Sequence, residues 1–444
     1  MTGDARIGAL FTDLYELTMA ASYFERRLMA PATFTLFVRA STRRNYFVAA
    51  GLTEVLDLLT AFSFTDSDIA FLQDTGLFKQ SFLDYLRHLR FSGDLVAMPE
   101  GTVFFANEPL IEVTAPLIEA QLIETFLLNT IGLQSLITTK AARCVSAARG
   151  RPLMDFALRR THGMDAGMKV ARSTYIAGFD STSNVLAGKH YGIPIAGTMA
   201  HSYVMAFASE KEAFEAYADT FPEQSVFLID TYDTLEGARQ AAAVAQRMKA
   251  QGHGLIGVRL DSGDMATLSR AVRQLLDEAG LPEVKIFASS GFDEYKIADV
   301  IADGAAIDAF GVGTKVGVAA DAPFLDVVYK LAQHKDRNVR KLSTHKVTLA
   351  GTKQVFRHVD GDGFRDVIGL REEVPNEGAV ALLEKVMTDG RCAQPHPSLD
   401  QIRKHCRQNL SALPDKYKVN ANYEPAPVSL SPRLARLQKT VDAR

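Results

Sequence analysis

The sequence of 444 residues has no tryptophan and only three cysteines, Cys144, Cys392 and Cys406. A small and odd number of cysteines in so long a chain argues against a framework of disulfide bonds. Long apolar runs are also missing, because no uninterrupted stretch reaches the roughly 18 residues that a membrane-spanning helix needs. These absences disfavour a disulfide-stabilised secreted domain and a helical membrane protein.

A strong charge bias is absent as well. The 49 basic and 52 acidic residues leave a formal net charge of −3, which gives no indication of a nucleic acid partner. The first residues carry Asp4, Asp13 and Glu16 and lack the basic-then-apolar order of a signal peptide. We therefore expect a cytoplasmic protein that acts without a membrane or a nucleic acid.

Apolar residues are plentiful. They make up 47% of the chain, and 26 phenylalanines and 13 tyrosines supply the aromatic bulk. Such a chain can bury one or two substantial cores, and its length suggests two or three domains.

The middle of the chain alternates between short apolar runs and amphipathic stretches that end at glycine. The runs start roughly 25 to 30 residues apart, a spacing typical of βαβ units in a parallel sheet. The predicted strands are 153–158, 193–198, 225–230, 255–261, 284–289 and 307–313, and the predicted helices are 235–252, 265–280 and 292–304. About six β/α units are enough for a barrel or a large open sheet.

The flanking segments have a different character. Residues 1–115 mix helical stretches with strand-like segments rich in turns, and 116–143 read as a long amphipathic helical stretch. After about residue 340 the chain is strand-like again, and it ends in a proline-rich tail.

Polar residues follow each predicted strand of the middle segment. In parallel sheets and barrels, catalytic groups collect beyond the carboxyl ends of the strands, so we expect these residues on one rim. They are Arg159, Arg160, Thr161 and His162; Thr198, His201 and Ser202; Asp230, Thr231 and Asp233; Arg259, Asp261, Ser262 and Asp264; Ser289, Ser290 and Gly291; Gly311, Gly313, Thr314 and Lys315. Each has an ordinary alternative, such as a helix cap for Asp264 or a packed histidine for His201.

The chemistry of this rim suits a phosphorylated sugar. A Gly311-x-Gly313-Thr314 turn offers backbone N–H groups and a hydroxyl to a phosphate. Arginines bind anionic oxygens in forked contacts, and Asp230, Asp261 and Asp264 can hold Mg²⁺ or ribose hydroxyls. The turn is neither a P-loop nor a dinucleotide fingerprint. The residues therefore predict an enzyme that uses a divalent metal and a histidine.

Seven stretches between residues 10 and about 360 carry a more specific signal. They are DLYELTMAASYF, ALRRTHGMDAG, GFDSTSNVLAGKHYGIPIAGTMAHSYVMAF, LIDTYDTLEGA, GVRLDSGDMATLS, FGVGTKVGV and VVYKL. Together, and in this order, they resemble the nicotinate phosphoribosyltransferase family. The resemblance implies an α/β fold with an irregular, TIM-like α/β barrel beside a second, open α/β sandwich domain. That second domain would be formed from the N- and C-terminal segments.

The resemblance also implies domain limits and an activity. Residues 1–125 would form the N-terminal open α/β domain with its linking helix, 126–345 the barrel, and 346–444 the segment that completes the first domain. The reaction would be ATP-coupled transfer of phosphoribosyl from phosphoribosyl pyrophosphate to nicotinate, a ligase-type step of NAD salvage that needs Mg²⁺. A homodimer with shared active sites is expected.

Site residues carry over from the family position by position. His201 matches the histidine that ATP phosphorylates, and Tyr15 matches a tyrosine that lies against nicotinate, in the neighbouring subunit's site. Arg259 would pair with the nicotinate carboxylate, and Asp261 would act beside it as a catalytic group. The remaining expected substrate contacts are Thr198, Ser202, Ser183, Arg159, Ser290, Gly311, Gly313 and Thr314, and Asp261 and Asp264 are the expected metal contacts. Several relatives carry Asn or Gly at the position of Ser290.

Alternatives stay open. Nicotinamide phosphoribosyltransferases place an aspartate where this chain has Ser183, which favours nicotinate, and quinolinate phosphoribosyltransferases are shorter chains. A catalytically idle homologue would bind a nucleotide or a partner without turnover, although the intact His201, Arg259 and Asp261 argue against it. Cys392, His396, His405 and Cys406 are a further candidate set for structural zinc, although their spacing matches no standard finger.

Overall fold

The computed structural model describes residues 8–41, 43–343, 346–360, 363–375, 377–418, 424 and 427–442. The chain forms two compact units, one from the residues up to Leu136 and from Phe324 onward, the other from Ile137–Pro323. The domain limits expected at 125/126 and 345/346 stay a prediction, because a long helix, Glu124–Ala148, runs through the first boundary and can be assigned to either side.

The N-terminal segment contains helices and mostly antiparallel strands. The helices are α1 (Leu14–Glu25), α2 (Leu52–Thr60), α3 (Asp66–Asp74), α4 (Gln80–His88), α5 (Leu117–Leu122) and α6 (Glu124–Ala148). The strands are β1 (Pro31–Val38), β2 (Phe47–Val48), β3 (Asp94–Ala97), β4 (Val103–Phe104) and β5 (Pro109–Pro116). The helical stretch predicted over 116–143 is thus two helices, broken at Ile123.

The middle segment alternates strands and helices. The strands are β6 (Leu153–Asp155), β7 (Ser181–Thr182), β8 (Val226–Leu228), β9 (Gly257–Leu260), β10 (Lys285–Ala288) and β11 (Ala309–Val312). The helices are α7 (Met164–Ala177), α8 (Val185–Tyr191), α9 (His201–Met205), α10 (Glu210–Thr220), α11 (Thr234–Ala250), α12 (Met265–Glu278), α13 (Glu294–Ala302) and α14 (Thr314–Gly317). A 3-10 helix covers Leu158–Arg160.

The C-terminal segment returns to strands and ends in helices. Its strands are β12 (Val327–His334), β13 (Arg337–Asn338), β14 (Lys353–Asp360), β15 (Gly363–Leu370), β16 (Val380–Ala381), β17 (Glu384–Thr388), β18 (Arg391–Cys392) and β19 (Val428–Leu430). Its helices are α15 (Leu399–Ala412), α16 (Asp415–Lys418) and α17 (Pro432–Asp442).

The unit built from both chain ends contains a seven-stranded antiparallel sheet in its described part, in the order β13-β12-β1-β5-β3-β17-β18. The central strand β1 is buried at seven of its eight residues. A contiguous apolar core that includes Phe34, Leu36, Val113 and Tyr329 packs against this sheet. A four-stranded sheet, β16-β14-β15-β19, lies in the same unit.

The other unit is built on a parallel sheet of six described strands in the order β7-β6-β11-β10-β9-β8. All five strand pairs are parallel, which confirms the βαβ pattern read from the spacing. In the described residues β7 and β8 are the edge strands, and no pairing closes the sheet into a barrel. The protein is therefore a mixed α/β fold.

One predicted strand is wrong. Residues 193–196 were expected to form a buried strand, but they make a single bridge, between Ile195 and Thr182, and Ile195 is 59% exposed. The strand at this edge is β7, which is only two residues long. Helix α8 follows β7 and returns the chain to an extended, mostly exposed segment beside it, which an apolar pattern alone does not distinguish from a buried strand.

Among the described residues, no helix is both long and apolar enough to cross a membrane.

Candidate active site

A cavity of about 620 Å³ opens at the carboxyl ends of the parallel strands. Its walls come from the segments that follow β6, β7, β9, β10 and β11, and from the segment that precedes α9. The lining residues are Phe156, Leu158, Arg159, Arg160, Ser183, Gly197, Thr198, Met199, Ala200, His201, Arg259, Asp261, Ser289, Ser290, Gly291, Gly311, Gly313 and Thr314. Parallel strands bring their carboxyl ends to one edge, which is why residues as distant in the chain as Phe156 and Thr314 meet here.

Most of the site residues expected from the sequence line this cavity. They are Arg159, Ser183, Thr198, His201, Arg259, Asp261, Ser290, Gly311, Gly313 and Thr314. Their convergence is a structural finding, whereas the role of each remains a proposal.

Three expected site residues lie elsewhere. Ser202 is exposed on α9 and does not line the cavity. Asp264 caps α12, where its Oδ1 accepts the backbone N–H groups of Ala266 and Thr267 at 3.2 and 3.4 Å. Hydrogen bonds from Thr267 hold the pKa of this carboxyl below its usual range. Tyr15 lies on α1 of the other unit and is 47% exposed.

His201 stands at the first position of α9 and reaches two polar groups on neighbouring strand ends. Its Nδ1 lies 3.2 Å from Thr231 Oγ1, which is hydrogen-bond distance. Its Nε2 lies 3.7 Å from Asp261 Oδ2, close enough for electrostatic attraction when the ring is protonated. The side chain is 40% exposed, so a substrate can reach the ring.

Asp261 is fixed by contacts with adjacent strands. Its backbone N–H donates to Asp230 Oδ2 at 2.8 Å, and its Oδ1 accepts a hydrogen bond from the Ser289 hydroxyl. Ser262 Oγ donates to the same Asp230 oxygen at 2.6 Å. These bonds lock the segments after β8, β9 and β10 together, and they leave Asp261 Oδ2 facing His201.

Arg259 is a largely buried cation on β9. Its Nη2 donates to the Met199 carbonyl at 2.9 Å, while its Nε has no hydrogen-bond partner within the described residues. Burial lowers the pKa of this guanidinium, Arg159 lowers it further, and Asp261 and Asp230 oppose both effects. The group remains charged at any physiological pH. An unsatisfied buried N–H on a cation is costly, so the position is suited to an anionic ligand.

Phe156 is a cavity residue that the sequence analysis missed. It follows β6 directly, and its ring packs against Gly311, where an added Cβ would lie 2.5 Å from Phe156 Cε2. Gly311 therefore accommodates an aromatic ring rather than only tightening a turn. The available signal was an aromatic residue just beyond a predicted strand, in LMDFAL.

The turn after β10 has strained backbone geometry. Ser290 has a φ of +91° and Gly291 a φ of +65°. Residues with a Cβ rarely adopt such angles, so this conformation is maintained by its surroundings.

The candidate zinc residues each have a different neighbour in the structure. Cys406 is fully buried, Cys392 Sγ lies 3.7 Å from Thr60 Oγ1, and His396 Nε2 lies 2.9 Å from Asp57 Oδ1. His405 Nε2 contacts Thr102 Oγ1 at 3.0 Å. Within the described ranges, no group of three or more His, Cys, Asp or Glu side chains is arranged to hold a metal ion.

Comparison with known proteins identifies the family. Residues 10–132, 152–353 and 371–438 match, in that order, the nicotinate phosphoribosyltransferase N-terminal domain, the nicotinate phosphoribosyltransferase family and the nicotinate phosphoribosyltransferase C-terminal domain. The chain is 48% identical over 442 residues to nicotinate phosphoribosyltransferase pncB2 of Mycobacterium tuberculosis, covering 97% of this chain and 94% of that protein. It is 40% identical to nicotinate phosphoribosyltransferase of Bacillus subtilis, covering 95% and 93%.

Solved structures agree with this assignment. The crystal structure of human nicotinic acid phosphoribosyltransferase is 30% identical, covers 97% of this chain and 99% of its own, and superposes with a TM-score of 0.87. The crystal structure of nicotinate-nucleotide pyrophosphorylase from Pyrococcus furiosus shares the fold, with a TM-score of 0.77. It is 24% identical and covers 93% of this chain and 99% of its own. The chain therefore belongs to the nicotinate phosphoribosyltransferase family.

Proposed function

We propose that this protein transfers the phosphoribosyl group of phosphoribosyl pyrophosphate to nicotinate, with ATP hydrolysis coupled to the transfer. The products are nicotinate mononucleotide and pyrophosphate, as in the salvage of nicotinate into NAD. The observation that carries the proposal is one cavity lined by a largely buried guanidinium, an aromatic ring, two glycine-containing turns and a partly exposed histidine. The names of the relatives support nicotinate as the acceptor.

Nicotinate is assigned to the part of the cavity formed by Arg259, Phe156 and Thr198. The carboxylate of nicotinate would accept a hydrogen bond from Arg259 Nε, which otherwise has no acceptor among the described residues. The pyridine ring of nicotinate would lie against the Phe156 ring. Nicotinamide carries no negative charge and would leave the cation uncompensated. Ser183, which lines the same cavity, contributes no carboxylate that could accept from an amide.

The phosphate groups are assigned to the turns after β10 and β11. Ser290 and Gly291 on one turn, and Gly313 and Thr314 on the other, offer backbone N–H groups and hydroxyls to anionic oxygens. Arg159 adds positive charge at the same cavity wall. The nicotinate nitrogen then attacks the anomeric carbon as the bond to pyrophosphate breaks, and the positive groups stabilise the leaving anion.

His201 is assigned to the coupling of ATP. A ring nitrogen attacks the γ-phosphorus of ATP, the bond to ADP breaks, and water later cleaves the phosphorus–nitrogen bond to release phosphate. Thr231 orients the ring through Nδ1, and Asp261 lies on the Nε2 side.

Magnesium fits the acidic groups behind His201. Asp230 Oδ1 is buried and has no hydrogen-bond partner in the described part of the chain, so an acceptor is available beside Asp261. Mg²⁺ is commonly held by one or two carboxylates together with substrate oxygens, which agrees with so small a donor set. When bound, the ion would neutralise charge on the pyrophosphate. Asp264 caps helix α12 with its carboxylate. We therefore propose Asp230 instead of Asp264 as the magnesium ligand beside Asp261.

A homodimer with shared active sites is the proposed assembly, in which Tyr15 reaches the partner's cavity. Large apolar side chains are exposed on the Ile137–Pro323 unit, as a protein interface requires. They are Met164, Val185, Leu186 and Ile195, at 77, 66, 62 and 59% exposure. We further propose that the parallel sheet belongs to an irregular, TIM-like barrel spanning residues 126–345, and that 1–125 and 346–444 form the open α/β sandwich domain.

The experiment that tests the reaction is a steady-state assay with phosphoribosyl pyrophosphate and Mg²⁺. Nicotinate and nicotinamide are compared as acceptors, each with and without ATP. Mononucleotide formation from nicotinate, stimulated by ATP, is the expected result. Preference for nicotinamide would contradict the assignment of Arg259, and binding of phosphoribosyl pyrophosphate without turnover would favour an idle homologue.

His201→Ala tests the coupling. We expect the variant to lose ATP stimulation, because no nucleophile is left for the γ-phosphate, while turnover without ATP falls by less than roughly tenfold. The measurement is the number of ATP molecules hydrolysed per mononucleotide formed. His253→Ala is the matched control, because His253 lies in the same unit and contacts Glu223 at 2.6 Å, away from the cavity. Intact ATP stimulation in His201→Ala would rule out the phosphohistidine.

A further inference from the structure

Lys315 follows the Gly311–Thr314 turn but is not one of the cavity-lining residues. Its Nζ donates instead to Asp293 Oδ2 at 2.8 Å, and the two side chains are 42% and 9% exposed. Asp293 Oδ1 accepts the backbone N–H of Lys296 at 2.9 Å and so caps α13. The Asp293 carboxylate therefore connects the turn after β11 to helix α13. This helix begins shortly after the turn that follows β10.

Lys296 extends this connection back to the strained turn. Its Nζ donates to the Ser290 carbonyl at 2.8 Å and lies 4.8 Å from the centre of the Phe292 ring. The bond holds the peptide that follows Ser290, the residue with a φ of +91°. The cap at Asp293 and the bond from Lys296 thus act on the same short segment.

Helix α13 is itself anchored in the interior. Glu294, the residue after Asp293, has a fully buried side chain. It pairs with Lys140 Nζ at 2.5 Å and with Arg143 Nε at 2.7 Å, both on α6. Breaking such a buried network is costly, so the start of α13 is a fixed point against which the turns can be held.

We propose that Lys315 and Asp293 form a clamp that positions the turns after β10 and β11 for the phosphate of the substrate. Both are positioning residues, because neither lines the cavity. The inference rests on the proposed function, since it assumes that phosphoribosyl pyrophosphate binds at these turns. The clamp would fix the distance between the backbone N–H donors of the turn after β10 and those of the turn after β11.

The test compares Lys315→Met with the unmodified enzyme. We expect the KM for phosphoribosyl pyrophosphate to rise roughly 5- to 20-fold, which lies within the range of interaction energies between contacting residues, with a smaller change in the KM for nicotinate. Lys315→Arg should restore the KM, because it retains the charge. Lys285→Met is the matched control, because Lys285 pairs with Asp308 at 3.7 Å in the same unit and is not part of the cavity. An unchanged KM in Lys315→Met would overturn the clamp.

Asp293→Asn separates positioning from direct contact. The amide oxygen can still cap α13, but the ion pair is lost. If the clamp positions the turns, this variant raises the KM as Lys315→Met does, and the double variant is no worse than either single variant. If Lys315 binds the phosphate itself, freeing it from Asp293 leaves the KM unchanged or lowers it, which overturns the inference.

Two controls complete the design. Thermal unfolding of each variant shows whether a raised KM reflects misfolding, in which case Asp293→Asn decides the question, because it keeps the cap of α13 and removes only the charge of the pair. Absence of turnover in the unmodified protein would overturn the proposed function and the clamp with it. Normal turnover with an unchanged KM in the variants would overturn only the clamp.

Discussion

Ser290 combines a cavity position with a backbone angle that glycine adopts more readily. Its φ of +91° places the Cβ in a region that costs on the order of 1 kcal/mol for a residue with a side chain. This gives a physical reason why a small or amide residue suits the position. We interpret the strain as offset by a contact between the Ser290 hydroxyl and the substrate.

Ser290→Gly separates the two effects. We expect the free energy of unfolding to rise by about 0.5–1 kcal/mol, because the strain is relieved, while the KM for phosphoribosyl pyrophosphate rises because the hydroxyl is lost. Urea unfolding and steady-state kinetics measure these quantities. Ser290→Ala is the control, since it keeps the Cβ and should raise the KM without gaining stability. Equal stabilisation by alanine would show that the backbone is not strained.

Helix α10 begins with a carboxyl group in an unfavourable environment. Glu210 is 8% exposed, and its Oε1 has no hydrogen-bond partner in the described segments. Burial, and after it the negative charges of the neighbouring Glu236, Asp230 and Asp233, together raise the pKa of Glu210 to about 7. Because the folded pKa exceeds the ordinary value, the folded state retains the proton to a higher pH than the unfolded chain.

The consequence is a loss of stability as the pH rises. The contribution of Glu210 is fully present below its unfolded pKa of about 4.5 and is lost as the pH passes through 7. Glu210→Gln mimics the protonated form at every pH. We expect it to match the unmodified protein below about pH 4 and to be more stable by about 1 kcal/mol or more at pH 8.

Unfolding free energies from about pH 4 to 8 check this prediction. Glu215→Gln, on the same helix, is the control and should leave the pH dependence unchanged. A constant difference between Glu210→Gln and the unmodified protein would contradict the ionisation of Glu210 in this range.

At the scale of the whole molecule, each of the two compact units contains buried ion pairs. In the unit of both chain ends, Arg357 donates to both oxygens of Asp366 at 2.9 and 2.6 Å, and its guanidinium lies 4.1 Å from the centre of the Phe364 ring. Glu108 is fully buried nearby, and burial together with Asp366 raises its pKa well above the usual range. Arg357 is thus the cation that pairs with Asp366, and the proximity of Asp366 is one cause of the raised pKa of Glu108.

Arg357→Met should destabilise that unit. Removing the cation leaves Asp366 buried without its partner, so we expect a loss of about 3–5 kcal/mol. The same substitution at Arg239, which forms an exposed pair with Glu236 at 3.0 Å in the other unit, should cost less than about 1 kcal/mol.

Hydrogen exchange locates the effect. Faster exchange in Arg357→Met is expected in residues 8–136 and 324–442 before the Ile137–Pro323 unit is affected. Uniform loss of protection across the described chain would show that the two units unfold as one.

The sequence alone determined the elements that are governed by local periodicity. Strands β8 to β11 and helices α11 to α13 were predicted within a few residues, because alternating β and α segments of this length leave few arrangements. Ten of the expected site residues also line one cavity, because most of them lie at or just after the carboxyl ends of parallel strands that share one edge, while Thr198 and His201 come from the segment at the start of α9. The family motifs indicated these positions from the sequence, with no information on their distances from one another.

Only the tertiary structure decided which side chains meet. Phe156 packs on Gly311, Thr231 contacts His201, and Lys315 reaches Asp293 across neighbouring strand ends. Strand β1 pairs with β12, some 300 residues later in the chain, at Ala32 and His334. Hydrophobic periodicity records which face of an element is buried but not which element buries it. Partners distant in sequence are therefore determined by the packing of the whole chain.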